Sequence, residues 1–260
     1  MPGTLIVSPH LDDALLSASQ VAMSTPTTVV TVFAGPPPAS VRLTEWDRLT
    51  GAASSLRRHQ DRIVEDQRAN AAAGSRPLHL SYPEEQFRQG PLDAVDCVAE
   101  LRALLTRADQ VWIPVGIGAH PDHLLARCIA LAALPEDGPS PAVGFYGDFP
   151  YIAAFGWPSW VTGLPTEEYL DLSAWLDLEL RNVGFPADGF QRQVVILTES
   201  ERKRKAEIIA EYRSQLPGLR LDPSRIGQRP HALDYEVRWL PEPEALALLV
   251  RDGRTALSSP

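Results

Sequence analysis

The sequence predicts an α/β protein with a mostly parallel sheet and helices on both faces, on three observations. Short apolar runs of strand length (Thr4–Val7, Thr27–Phe33, Gln110–Val115 and Ala142–Tyr146) alternate with longer stretches of helical spacing. The first strand, the helix after it and the second strand form a βαβ unit, which implies a parallel pair. Polar clusters fall where strands hand over to helices, at the edge where open α/β sheets gather ligands. The expected architecture is a single Rossmann-like domain over 1–260, with a core of about 3–155 and a C-terminal extension of about 156–260.

A chain of 260 residues with 44% hydrophobic and 22% charged residues can bury a full core and is not disordered. The net charge of -9 and the lack of a basic run argue against nucleic acid or a membrane surface as partner, and are compatible with a homo-oligomer. No basic-flanked leader and no apolar stretch near the ~20 residues of a membrane helix is present, so a cytoplasmic location is expected. Cys97 and Cys128 lie in apolar helical patterns without CxxC partners, and are expected to be buried free thiols.

In chain order, Ala14–Met23 reads as the first helix, and the second strand ends at Ala34-Gly-Pro-Pro-Pro38. Asp47–Ala73 reads as one long helix closed by Gly74, its charges solvated or paired at the surface. Pro77–Leu80 is a short third strand and Leu92–Ala108 a helix. After the strand Gln110–Val115, Gly116-Ile-Gly-Ala119 turns the chain into a helix running to about Ala133, with Pro121 in its first turn. Beyond the strand Ala142–Tyr146, Trp160–Leu172 is expected to be extended and Ser173–Arg181 helical. Gln191–Leu197 is expected as a strand, Glu199–Gln215 as a charged helix and 216–240 as loop with a late extended piece. Glu242–Val250 is expected as a last helix before a frayed end.

Two motifs carry the chemistry. Ser8-Pro-His-Leu-Asp-Asp13 closes the first strand, and Ala119-His-Pro-Asp-His123 follows a later one; together they hold three of the six histidines. Three polar groups at one strand end need partners to offset their desolvation. Two histidines and a carboxylate suit zinc with one position open to water, and iron(II) uses the same set. Of Asp12 and Asp13, one reaches the metal and the other faces its water as general base, an assignment that the chemistry alone leaves open. A histidine off the metal, made cationic by a neighbouring aspartate, steadies an oxyanion or protonates a leaving amine. A phosphoryl-accepting receiver would also place an acidic pair after its first strand, but it needs a lysine near the sheet edge, and the only lysines are Lys203 and Lys205. A closed structural zinc site usually has four protein ligands, often cysteine, and neither cysteine is near a motif.

The two motifs, in this order and spacing, resemble the signatures of the LmbE-like, or PIG-L, zinc-dependent N-deacetylases. The resemblance covers roughly residues 3–150 and, more loosely, the chain to about 216. Trp46-Asp47, Arg62-x-x-Glu65-Asp66 and Tyr212-x-Ser-Gln215 are similar to features of bacterial members. It implies one zinc per chain, with iron(II) as the alternative, held by His10, Asp13 and His123. It implies Asp12 as general base and His120 as electrostatic or acid partner, held by Asp122. The implied reaction is removal of an N-acetyl group from an amino sugar or glycosylated small molecule, in metabolite or antibiotic biosynthesis. The alternative is an amidase of the same family acting on a non-sugar amide or thiol conjugate.

The sequence departs from the family pattern at Leu11, where proline is usual, and at Ala14, where glutamate is usual. Some members carry a tyrosine as oxyanion donor where this chain has Gly118, so His120 or Tyr146 is expected to cover that role. Loops 35–47, 81–90 and 147–160 are expected to frame the N-acetylated substrate, through Trp46, Asp47, Arg88, Asp148 and Tyr151.

Overall fold

The computed structural model describes residues 3–24, 26–136, 139–165, 169–186, 188–219 and 231–258. Seven strands form one sheet: β1 Thr4–Ser8, β2 Thr27–Thr31, β3 Arg76–His79, β4 Gln110–Pro114, β5 Ala142–Tyr146, β6 Phe190–Ile196 and β7 Tyr235–Pro241. Their order is β3-β2-β1-β4-β5-β7-β6. The pairs from β3 to β5 are parallel, whereas β7 pairs antiparallel with both β5 and β6. The mostly parallel α/β sheet read from the sequence is therefore the one observed.

Alternation along the strands sorts two apolar layers. Ile6 and Trp112 face one side, where they join the helices α1 Asp13–Ser17, α2 Ser19–Ser24, α4 Ser55–Ala73 and α9 Glu199–Ala210 through Leu15, Val21, Ala69 and Ile208. Leu5, Val7, Val111 and Ile113 face the other, against α5 Val95–Leu105, α6 Pro121–Ala133 and α10 Pro243–Ser258. Ile6, Val7, Val30 and Ile113 are all fully buried, each contributing ~1.5–3 kcal/mol of transfer free energy. Helices therefore cover both faces, which is why the central strands read as continuous apolar runs.

Several boundaries differ from those expected. The first helix is two short ones, interrupted at Ala18 (φ -130°). The long helix is α3 Glu45–Leu49 and α4, separated by a turn through Gly51 (φ 73°) and restarted by Ser54 as N-cap of α4. Arg58 reaches back across that turn to the Thr50 carbonyl at 2.6 Å. Arg58, Arg62 and Asp66 are buried, not at the surface, because α4 turns this face to the sheet edge. Of Trp160–Leu172, expected to be extended, Trp160–Thr162 belong to the short helix α7 Ser159–Thr162, Leu172 starts the next helix, and 166–168 lie outside the described residues. The helix α8 covers Leu172–Asn182, and the chain after α9 turns rather than continuing as helix to Gln215. Of the expected loop 216–240, residues 220–230 lie outside the described ones. The terminal helix extends to Ser258 instead of fraying after Val250. Both cysteines are free, Cys97 buried and Cys128 half-buried. Among the described residues no helix is long and apolar enough to cross a membrane.

β1 and β4 are neighbours, yet the chain leaves them in opposite directions, toward β2 and toward β5. The sheet order reverses here, which opens a crevice at the carboxyl ends of these two strands. Both motifs lie at that crevice.

Candidate active site

The first motif is held by its own serine. Ser8 Oγ donates to the His10 carbonyl at 2.6 Å and accepts the Ala14 amide at 3.0 Å, closing the turn from β1 into α1. The second motif rests on an unusual loop: Gly116, Gly118 and Ala119 have φ of 89°, 89° and 57°. Ala119 bears the cost of a left-handed conformation, ~1–2 kcal/mol, next to His120. His120 then caps α6, its Nδ1 accepting the Asp122 amide at 3.2 Å, with Pro121 in the first helical turn.

These turns bring both motifs together. His10 Nδ1 lies 3.1 Å from Asp13 Oδ2, and His123 Nε2 lies 3.2 Å from the same oxygen. Metal bonds of about 2.0–2.2 Å in a tetrahedron set ligand atoms roughly 3.3 Å apart, so the donor set fits a zinc-sized ion. The remaining nitrogen of each histidine meets a buried carboxylate: His10 Nε2 with Asp122 at 2.9 Å, and His123 Nδ1 with Asp148 at 2.7 Å. Carboxylates in this position orient metal-binding imidazoles. A second grouping, His10, His120 and Asp122, is also close enough to hold an ion. It is the poorer candidate, because Arg88 Nη2 lies on Asp122 Oδ1 at 2.6 Å and His120 Nδ1 is engaged as the helix cap.

The charges follow this geometry. Burial opposes ionisation of Asp13, but His123 and His10 hold its carboxyl well below the usual range. Burial likewise disfavours charge on His123, yet Asp13 and Asp148 raise it to about 9. His10 is raised in the same way, against burial, by Asp122 and Asp13. Asp12 behaves oppositely: burial and then the adjacent Asp13 push it up to about 7, against the pull of Arg62. Its carboxylate makes no cap to α1 and no hydrogen bond among the described residues. It faces the cavity with Arg62 Nη2 4.0 Å away.

His120 was expected to be cationic beside Asp122. Burial, and then His10 and His123, instead lower it to about 4, so it is neutral at pH 7. The Asp122 carboxylate is on His10, Arg88 and the Glu85 amide, and only its backbone N–H meets His120. Because Nδ1 accepts that N–H, the His120 proton sits on Nε2.

The cavity over these groups has a volume of about 580 Å³, and its lining includes Val41, Leu43, Trp46, Tyr151, Gln215 and Leu219. Trp46 Nε1 donates to Gln215 Oε1 at 3.0 Å, which ties the 35–47 loop to the segment after α9. Three of the five residues expected to meet substrate do not line the cavity. Asp47, 1% exposed, caps α3 and binds Ser55. Arg88 lies behind Asp122, with its guanidinium over Phe33. Asp148, 1% exposed, accepts the Gly116 and Ile117 amides at 2.7 and 2.9 Å besides His123. Tyr146, a candidate oxyanion donor, is buried with its hydroxyl on the Val7 carbonyl at 2.8 Å. The Arg62–Glu84 pair beside Asp12 went unread in the sequence, since its members lie on α4 and in the loop after β3. Lys205, which a receiver would need near the acidic pair, is buried with its Nζ on Glu236 at 2.9 Å.

No family model matches the chain. A 2'-N-acetylparomamine deacetylase from Streptomyces fradiae is 31% identical over 164 residues, covering 57% of this chain and 57% of that protein. The match thus spans little more than half of the relative's length. Among solved structures, a triple mutant of a deacetylase of teicoplanin biosynthesis superposes with a TM-score of 0.69 at 22% identity, over 91% of this chain and 96% of that one. The A40926 pseudoaglycone deacetylase gives 0.65 at 23%, over 92% and 96%. The zinc-inhibited form of teicoplanin deacetylase gives 0.62 at 24%, over 91% and 96%. The fold is the α/β fold of these deacetylases, and the partial match to a curated deacetylase agrees with the resemblance read from the two motifs.

Proposed function

We propose that this protein is a metal-dependent N-deacetylase of the LmbE-like kind, acting on an amino sugar or glycosylated small molecule. The observation that carries the reading is a cavity-facing carboxylate, Asp12, without a hydrogen bond among the described residues, next to a convergent His10–Asp13–His123 donor set. A zinc ion in that set, one per chain, would supply a Lewis acid for the amide carbonyl and an acidified water; iron(II) suits the same donors. Asp12 takes a proton from the water that adds to the carbonyl carbon. The His120 Nε2–H donates to the oxygen that becomes negative. The C–N bond then breaks, and the proton held by Asp12 passes to the amine nitrogen, leaving acetate and a free amine. Trp46, braced by Gln215, offers a flat apolar surface suited to a sugar ring. The described residues are read as one domain, because Gln215 and Leu219 of the C-terminal extension line the same cavity as both motifs.

The zinc-loaded protein is expected to release a primary amine, read by a fluorogenic amine reagent, from at least one acetamido sugar or N-acetylated glycoside. Release only from non-sugar acetamides would move the substrate class to the alternative amidase. No release from any acetamide, with zinc or with iron(II), would sink the hydrolase reading.

Metal loading depends on protons. With His123 raised to about 9, the metal-free imidazole is protonated at pH 7, and an incoming ion must displace that proton. Zinc affinity is therefore expected to rise with pH between 6 and 8, by up to about tenfold per unit for each displaced proton. Chelator-competition titrations at three pH values check this, and a flat profile would contradict the donor set. In the same titration Asp148→Asn is expected to weaken zinc by about 10–100-fold, because His123 loses its orienting charge. Unchanged affinity would confine Asp148 to bracing the loop.

A further inference from the structure

Stabilising the negative oxygen of the intermediate calls for donors aimed into a dry pocket, and one donor alone is a weak oxyanion hole. His120 supplies one. Other side-chain donors on the cavity wall are engaged: Arg62 with Glu84, Gln86 with Glu84, and the Trp46 N–H with Gln215. The Tyr151 hydroxyl is not. Tyr151 lines the cavity half-buried, its ring edge-on to His123 with centroids 5.7 Å apart. Its hydroxyl has no partner among the described residues, whereas the hydroxyls of the buried Tyr146 and Tyr212 are bound to the Val7 carbonyl and Asp66.

The neighbouring loop is built around this ring. A Cβ placed on Gly118 would lie 2.6 Å from Tyr151 Cδ1 and 2.7 Å from Cγ, well inside contact distance. Tyr151 therefore occupies the space that a side chain at position 118 would need. The two segments are also joined by hydrogen bonds through Asp148. Asp148 accepts the Gly116 and Ile117 amides on one side, while its own carbonyl accepts the Ile152 amide on the other. Phe149 N–H adds an anchor on Ser17 Oγ of α1, at 2.9 Å.

Resting on the deacetylase reading, we propose that Tyr151 is a catalytic residue, its hydroxyl donating to the oxyanion alongside His120, and that residue 118 is glycine to admit its ring. The donor thus reaches the second motif from the loop after β5, not from within the motif.

Tyr151→Phe tests this, since it keeps the ring against Gly118 and His123 and removes only the hydroxyl. With zinc content and thermal midpoint matching the wild type, kcat is expected to fall by about 10²-fold, with KM within about threefold. Independently of turnover, calorimetry with acetohydroxamate, an acetyl-bearing metal chelator, is expected to show about tenfold weaker binding to the zinc-loaded variant. A variant that keeps wild-type kcat and wild-type acetohydroxamate affinity overturns the assignment and leaves the deacetylase reading standing. A zinc-loaded wild type that neither releases amine nor binds acetohydroxamate overturns that reading, and the role of Tyr151 with it.

Discussion

Replacing Asp12 by asparagine is expected to leave the metal site filled and to lower kcat by about 10²–10⁴-fold, the range of general acid–base catalysis. Asparagine keeps the shape of the side chain, and the donor atoms that converge on the ion belong to His10, Asp13 and His123. Asp12 is not among those donors, so metal content should hold. Asp12 caps nothing and accepts no hydrogen bond among the described residues, so folding should not suffer. Elemental analysis and single-turnover kinetics on one preparation separate the effects. Full metal with near wild-type turnover would sink Asp12 as the base.

His123→Ala is expected to have the opposite signature: metal content falls toward zero and activity disappears with it. The imidazole joins Asp13 to Asp148 at 3.2 and 2.7 Å while 1% exposed, so its removal also leaves two buried carboxylates without their shared partner. Loss of one of three protein ligands should cost several kcal/mol of metal binding, while Asp13 keeps His10 and Asp148 keeps the Gly116 and Ile117 amides, which limits the loss of folding stability. His123→Gln, which keeps a polar group of similar reach, guards against misfolding as the explanation. A His123→Ala protein retaining one zinc per chain would show that the two motifs do not share an ion.

The motifs were legible because their chemistry is local. A histidine and two aspartates at the end of an apolar strand have few uses besides a site, and the glycines before His120 announce a backbone that other residues seldom adopt. The parallel sheet was legible for a similar reason: strands buried on both faces must be apolar throughout. Local rules failed where a distant contact decided the outcome. The turn at 50–54 had its own markers, Gly51 and Ser54, yet the helical composition around them favoured one continuous helix. The buried side of α4 reads as a charged surface face until Glu84, Asp12 and His79 arrive to pair with Arg62 and Asp66.

The sequence by itself determined the fold class and the two strand ends where the histidines and aspartates of both motifs gather. Tertiary structure decided what each of them touches. Asp122 turned out to sit on His10, and His120 is neutral with its proton toward the cavity, because burial and the neighbouring imidazoles outweigh the adjacent aspartate. Asp148 left the substrate wall to brace His123, and Tyr151 came to lie over Gly118. The physical reason is the same throughout. Which residues are polar at a strand end is written in the chain, but hydrogen-bond partners, desolvation and field at a buried group come from residues 25 to more than 100 positions away, and only packing brings them within reach.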